Sequence, residues 1–148
     1  MSVLDPPPAD QPTRIRIQSD PGNLPKVREA VRKVAHEVGF DEDCIARIVL
    51  AVDEAITNVI KHGYEGRCDQ AVEVCVTRVR ENGREGIRFE IRDFGKQVDP
   101  DTICGRDLKD VRPGGLGVHI IRSVMDRVVY APAEGGGMRL SMIKLLGP

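Results

Sequence analysis

The sequence predicts a two-layer α/β sandwich in which three helices pack on one face of a mostly antiparallel sheet. Two observations predict it. Segments with apolar residues at i, i+3 and i+4 spacing are apolar on one side only, as surface-packed helices are. Segments that alternate apolar and polar residues read as strands with one wet face, such as Val72, Val74 and Val76 or Ile87, Phe89 and Ile91. A sheet apolar on one face needs a single covering layer, and one-sided helices supply it.

In chain order, Met1 to Pro12 carries Pro6, Pro7, Pro8 and Pro12 and reads as a flexible arm, leaving residues 13–148 as one domain. Thr13 to Ser19 places Ile15 and Ile17 on one strand face and Arg14 and Arg16 on the other. A turn at Asp20-Pro21-Gly22 leads into a first helix, Leu24 to Val38, with Leu24, Val27, Val31, Val34 and Val38 inward and Gly39 as its left-handed stop. Asp41 is the expected N-cap of a second helix running to His62. Its inward residues are Ile45, Ile48, Val49, Val52, Ala55, Ile56, Val59 and Ile60, and Gly63 is expected as its left-handed C′ residue. Two strands follow, joined by the hairpin signal Asn82-Gly83. Lys96 to Pro113 is polar and turn-rich, the character of a lid over a binding site. A third helix opens at Gly114-Gly115-Leu116-Gly117, with Val118, Ile121, Val124 and Met125 inward. Strands around Arg127 to Ala131 and Met138 to Leu146 complete the order β-α-α-β-β-lid-α-β-β.

Composition narrows the function. The 148 residues are 41% hydrophobic and 30% charged, ordinary for a globular domain long enough to bury a core. A net charge of −1 gives no general attraction to nucleic acid or membrane, and five aromatics without tryptophan argue against base stacking. Cys44, Cys68, Cys75 and Cys104 have neither C-x-x-C nor zinc-ligand spacing and read as free thiols in a reducing compartment. With no membrane-length apolar run and no signal-peptide pattern, a cytoplasmic location is expected.

Three stretches carry chemistry. Glu54, Asn58 and His62 lie at i, i+4 and i+8, one polar stripe beside the apolar face. Such a row suits a metal-bound phosphate beside a proton acceptor, or else is a solvated helix face. Asp93 ends a strand just before Phe94-Gly95. It can accept from an exocyclic amine while Gly95 leaves room for a flat ring, or it starts a turn. Gly114, Gly115 and Gly117 open a helix, where bare backbone amides and the helix dipole suit an anion, or tight packing alone explains them. The run fits neither a P-loop nor a first-strand dinucleotide fingerprint.

In this order the pieces E-A-x-x-N-x-x-x-H-G-Y, D-x-G with D-P after it, and G-G-L-G-x-x-x-I-x-x-x-M-D resemble the N, G1 and G2 boxes of the Bergerat ATP-binding fold. The resemblance is nearest to that superfamily's small bacterial anti-sigma factor serine kinases, and it covers nearly everything from Arg14 to Leu146. It implies a mostly antiparallel mixed sheet and a histidine kinase-like ATP-binding domain. By resemblance, Asn58 coordinates Mg²⁺, Glu54 acts as general base, and Asp93 reads the adenine amine with Gly95 beside the ring. Gly115 and Gly117, within the run Gly114 to Gly117 that includes Leu116, hold the phosphates of ATP through backbone amides, and His62 shares the nucleotide site. Two departures stand out: Gln97 replaces the second glycine of D-x-G-x-G, and Met138 stands where many relatives carry threonine.

The function implied is that of an ATP- and Mg²⁺-dependent protein serine/threonine kinase that doubles as an anti-sigma factor. Its partners would be a sigma factor, a small antagonist protein phosphorylated on Ser or Thr, and a second copy in a homodimer. Direct nucleic-acid or membrane contact is not expected. Two alternatives are a non-catalytic module that binds ATP to hold a partner, and a switch kinase acting on an antagonist without holding sigma. A third, a fragment of a larger ATPase or histidine kinase, lacks the phosphoacceptor helix pair or transducer domain such machines need. Glu54 separates kinase from module, because a pure binder has no need of a carboxylate there.

Overall fold

A computed structural model describes residues 11–95 and 113–147. The arm before Gln11 and the expected lid, with Arg106, Lys109 and Arg112, lie outside the described residues. Strands β1 (Thr13–Gln18), β2 (Ala71–Glu81), β3 (Arg84–Asp93), β4 (Arg127–Pro132) and β5 (Met138–Leu145) form one sheet in the order β1-β2-β3-β5-β4. Helices α1 (Leu24–Val38), α2 (Glu42–Asn58) and α3 (Pro113–Val124) cover one face, with α2 between α1 and α3. This is the expected two-layer sandwich. Every described strand pairing is antiparallel, so the sheet has no parallel pair among the described residues. The reason is the crossover: β3 and β4 run the same way, but β5 is inserted between them.

Alternation decides what each face does. Val72, Val74, Val76, Ile87, Phe89, Ile91, Leu140 and Met142 point from the sheet into a core shared with Val27, Val31, Ile48, Val52, Ile56 and Ile121. Each such side chain contributes about 1.5–3 kcal/mol by leaving water, so this layer contact dominates the fold. The other face carries the ion pairs Arg16–Glu73 and Arg127–Glu81, and Glu90 sits within reach of both Arg88 and Arg139. Asn82 and Gly83, at φ +52 and +79, make the tight hairpin turn between β2 and β3.

The helix ends show where local signals suffice. Gly39, at φ +111, ends α1 and returns its N–H to the Ala35 carbonyl. The Asp41 carboxylate caps α2 by accepting from Cys44 N at 2.7 Å. The other end of α2 departs from expectation. The helix loosens into a π-turn over Val59–Gly63, in which the Tyr64 N–H reaches back to the Val59 carbonyl. Gly63 is not left-handed; the chain is closed instead by Glu65 at φ +53 and Gly66 at φ +83, with Gly66 N bonded to Ile60 O at 2.7 Å. The extra residue in that turn changes the helical period just after Asn58, in the segment that carries His62. No helix among the described residues is long and apolar enough to cross a membrane.

Candidate functional site

Asp93 is the last residue of β3 and almost wholly buried, at 3% exposure. One carboxylate oxygen, Oδ1, accepts from Gly95 N at 3.0 Å and Met138 N at 3.2 Å. The other receives no hydrogen bond among the described residues and faces Gly63, where an added methyl would stand 3.6 Å from it. Burial pushes the Asp93 carboxyl above its ordinary value, against the pull of the two amides and the Arg92 guanidinium. A buried carboxylate with one oxygen unpartnered among the described residues can still accept a donor.

Three chain segments meet there without side chains between them. A Cβ on Gly95 would lie 2.4 Å from the Gly63 carbonyl oxygen and 3.0 Å from the Tyr64 ring. A Cβ on Gly137, which sits at φ +75, would lie 2.0 Å from the Asp93 carbonyl oxygen. The seam therefore joins the end of the π-turn, the end of β3 and the start of β5. Phe94 projects outward beside it, its ring flanked by the guanidinium groups of Arg92 and Arg16 at 4.6 and 5.9 Å.

On α2, adjacent acidic residues have different surroundings. Asp53 is engaged by Arg28 of α1, whose Nε donates to its two oxygens at 3.1 and 2.8 Å. Glu54 is half-buried and has no such partner among the described residues. One turn on, Asn58 is also half-buried, and its Nδ2 is enclosed with no hydrogen-bond partner among the described residues. An orphaned carboxamide is costly, about 1–3 kcal/mol, unless something else is there to meet it. A half-turn about its last torsion would present the oxygen in the same place. His62 is exposed, in the π-turn that follows Asn58.

The glycine run Gly114 to Gly117 falls in the first turns of α3, as expected, and α3 packs against α2. The first amides of α3 have no intrahelical partners, and the helix they open packs against α2, which carries Asn58. Among the described residues these features fit an adenine nucleotide with a hard metal: a buried carboxylate with a spare oxygen for an amine, an unsatisfied amide for a metal ligand or phosphate, and a glycine-rich helix start for an anion. Two contributors escaped sequence reasoning. Gly137 could have been found from the triple-glycine run ahead of a strand, which signals left-handed backbone and close approach. Tyr64, whose hydroxyl donates to Ala71 O at 2.5 Å and accepts from Phe94 N at 2.7 Å, closes the H-G-Y end of the first motif, but the motif assigned it no role.

This helix-on-sheet layout and its seam are those of an ATPase module. The chain belongs to the histidine kinase-like ATPase domain family, whose model matches residues 17–144. Among curated proteins it is similar to the serine-protein kinase RsbW of Halalkalibacterium halodurans, 33% identical over 130 residues, covering 81% of this chain and 74% of that one. It is similar also to serine-protein kinase RsbW of Listeria monocytogenes, 29% identical over 129 residues, 82% of this chain and 80% of that one. Among solved structures, the RsbU and RsbW domains of a Mycobacterium tuberculosis protein match its fold with a TM-score of 0.62 at 19% identity. That match covers 93% of this chain and 33% of the longer one.

Proposed function

We propose that this chain is an ATP-dependent protein serine/threonine kinase and anti-sigma factor, which binds a sigma factor and phosphorylates a small antagonist of that binding. The kinase names of its relatives and its membership of the ATPase family support the reading. The observation that carries it is the contrast on α2: Asp53 is held by Arg28, while among the described residues Glu54 is left unpaired one turn before an unsatisfied Asn58. A helix that spends one carboxylate on structure and leaves its neighbour free has a base to offer.

In this reading Asp93 accepts the adenine amine, and Gly95 and Gly137 let the segments around it close up and hold its carboxylate in place. The α3 amides, with Gly114 to Gly117, meet the phosphates. Asn58 would hold Mg²⁺, which when bound neutralises phosphate charge. Glu54 takes the proton from the serine hydroxyl as its oxygen forms a bond to the γ-phosphorus and the bond to the β,γ-bridging oxygen breaks, leaving ADP. The positioning of the nucleophile beside the base accounts for much of the rate.

Transfer of labelled γ-phosphate to the antagonist, beside a pull-down of the sigma partner, tests the reading. Glu54→Gln keeps the shape and removes the basicity, so ATP and sigma binding persist while transfer slows by roughly 10²–10⁴-fold. Asn58→Ala loses Mg²⁺-dependent ATP affinity by calorimetry. A wild-type protein that holds sigma and ATP but phosphorylates nothing would make it a nucleotide-gated binding module instead. Unslowed transfer by Glu54→Gln would remove Glu54 as the base.

A further inference from the structure

We propose that Tyr64 is a positioning residue for base recognition: its hydroxyl holds the end of β3 so that the Asp93 carboxylate stands where it prefers a 6-amino purine. The inference rests on the nucleotide reading above. It starts from the ladder between β2 and β3, whose last registered pair is Val72 with Asp93. The next pair in that register would be Ala71 with Phe94, and the Tyr64 hydroxyl stands between them. It donates to Ala71 O at 2.5 Å and accepts from Phe94 N at 2.7 Å, one oxygen atom taking the place of a direct rung.

That insertion parts the two strands just at the residue that carries the carboxylate. On the other side the ladder also changes partner: β3 and β5 pair as far as Arg92 with Arg139, and beyond that Met138 N turns to the Asp93 side chain. Asp93 is thus oriented by Met138 N and by Gly95 N, and Gly95 belongs to the short segment that Tyr64 anchors through Phe94. The Tyr64 ring lies against Gly95, and the side chain is 5% exposed, so neither water nor another side chain can readily replace it. Burial also pushes its phenol above the ordinary value, which keeps the donating proton in place. Without the hydroxyl, Phe94 N and Ala71 O lose their shared partner. The segment that sets one of the two donors to Asp93 is then released.

The test compares two nucleotides. ATP carries the 6-amine, and purine riboside triphosphate has hydrogen in its place; calorimetry with Mg²⁺ measures both affinities for each protein. Wild type should prefer ATP by roughly 10–100-fold, the range of a hydrogen bond to a charged acceptor. Asp93→Asn should erase most of that preference. Tyr64→Phe should cut it by roughly tenfold, weakening ATP while the analogue changes by less than about twofold. A general packing defect would weaken both nucleotides alike, and that result overturns the proposal. Retention of the full preference in Tyr64→Phe, with Asp93→Asn losing it, also overturns it and leaves the nucleotide reading intact. Retention of the preference in Asp93→Asn overturns both. Should Tyr64→Phe fail to fold, Phe94→Pro removes the same hydrogen bond from the donor side, after a residue whose extended strand backbone suits a following proline. The same loss of preference is expected there, and an unchanged ratio overturns the proposal.

Discussion

Alanine at Gly137 should cost far more than alanine at Gly135, two residues away and in nearly the same backbone conformation. Gly135 sits at φ +88 and Gly137 at φ +75, so each substitution bears a left-handed penalty of about 1–2 kcal/mol. The surroundings then differ. A methyl at Gly135 meets only the tip of the Arg92 guanidinium at 3.8 Å, an ordinary contact with a side chain that can yield. At Gly137 it would stand 2.0 Å from the Asp93 carbonyl oxygen and 2.7 Å from the Phe94 Cα, and backbone in the middle of the seam cannot yield. Forced overpacking adds about 1–3 kcal/mol. Gly137→Ala should therefore lose about 2–5 kcal/mol and Gly135→Ala about 1–2. In urea unfolding followed by circular dichroism the two midpoints should differ by roughly 0.5–1.5 M at equal slope. Because relief of the clash must push Asp93 aside, Gly137→Ala should also bind ATP more weakly than Gly135→Ala. Equal midpoints for the two variants would refute the close approach of Gly137 to β3, and with it the geometry of the seam.

Asp93→Asn should trade binding for stability. The native carboxyl lies above its ordinary 3.8, so ionised Asp93 costs the free protein stability near neutral pH. Its favourable contribution is complete below 3.8 and is lost as pH rises through the native value. Asparagine keeps an acceptor for Gly95 N and Met138 N without the charge, so thermal melts should show the variant more stable at neutral pH. The gap should close as pH falls toward 3.8, and a gap that widens toward acid would contradict the burial of an ionised group. Tyr130 offers a separate check on the β4 edge. Its hydroxyl is buried without a partner among the described residues, and burial pushes its phenol up to about 12. Tyr130→Phe should stabilise the protein by about 1 kcal/mol in urea unfolding, and a loss of stability would mean the hydroxyl has a partner.

What the sequence determined by itself is what short-range chemistry decides. The apolar face of α1 and its stop at Gly39, the Asp41 cap and the Asn82-Gly83 turn depend on side-chain period and on local backbone preference. Alternation in β2 and β3 put Asp93 on the core side of a strand end, and the three ordered motifs pointed to Glu54, Asn58 and the α3 glycines. What the tertiary structure decided lies where distant segments meet. Gly63 looked like a left-handed helix stop, yet the π-turn passes that task to Glu65-Gly66, and the Tyr64 that follows it bonds to Ala71 and Phe94, residues 7 and 30 positions away. Gly137 is 44 residues from Asp93 in sequence, and no local pattern could show that its missing side chain makes room for the Asp93 carbonyl. The difference between Asp53 and Glu54 is of the same kind: both are acidic residues on one helix, and only the packing of α1 against α2 brings Arg28 to one of them and leaves the other without a partner among the described residues.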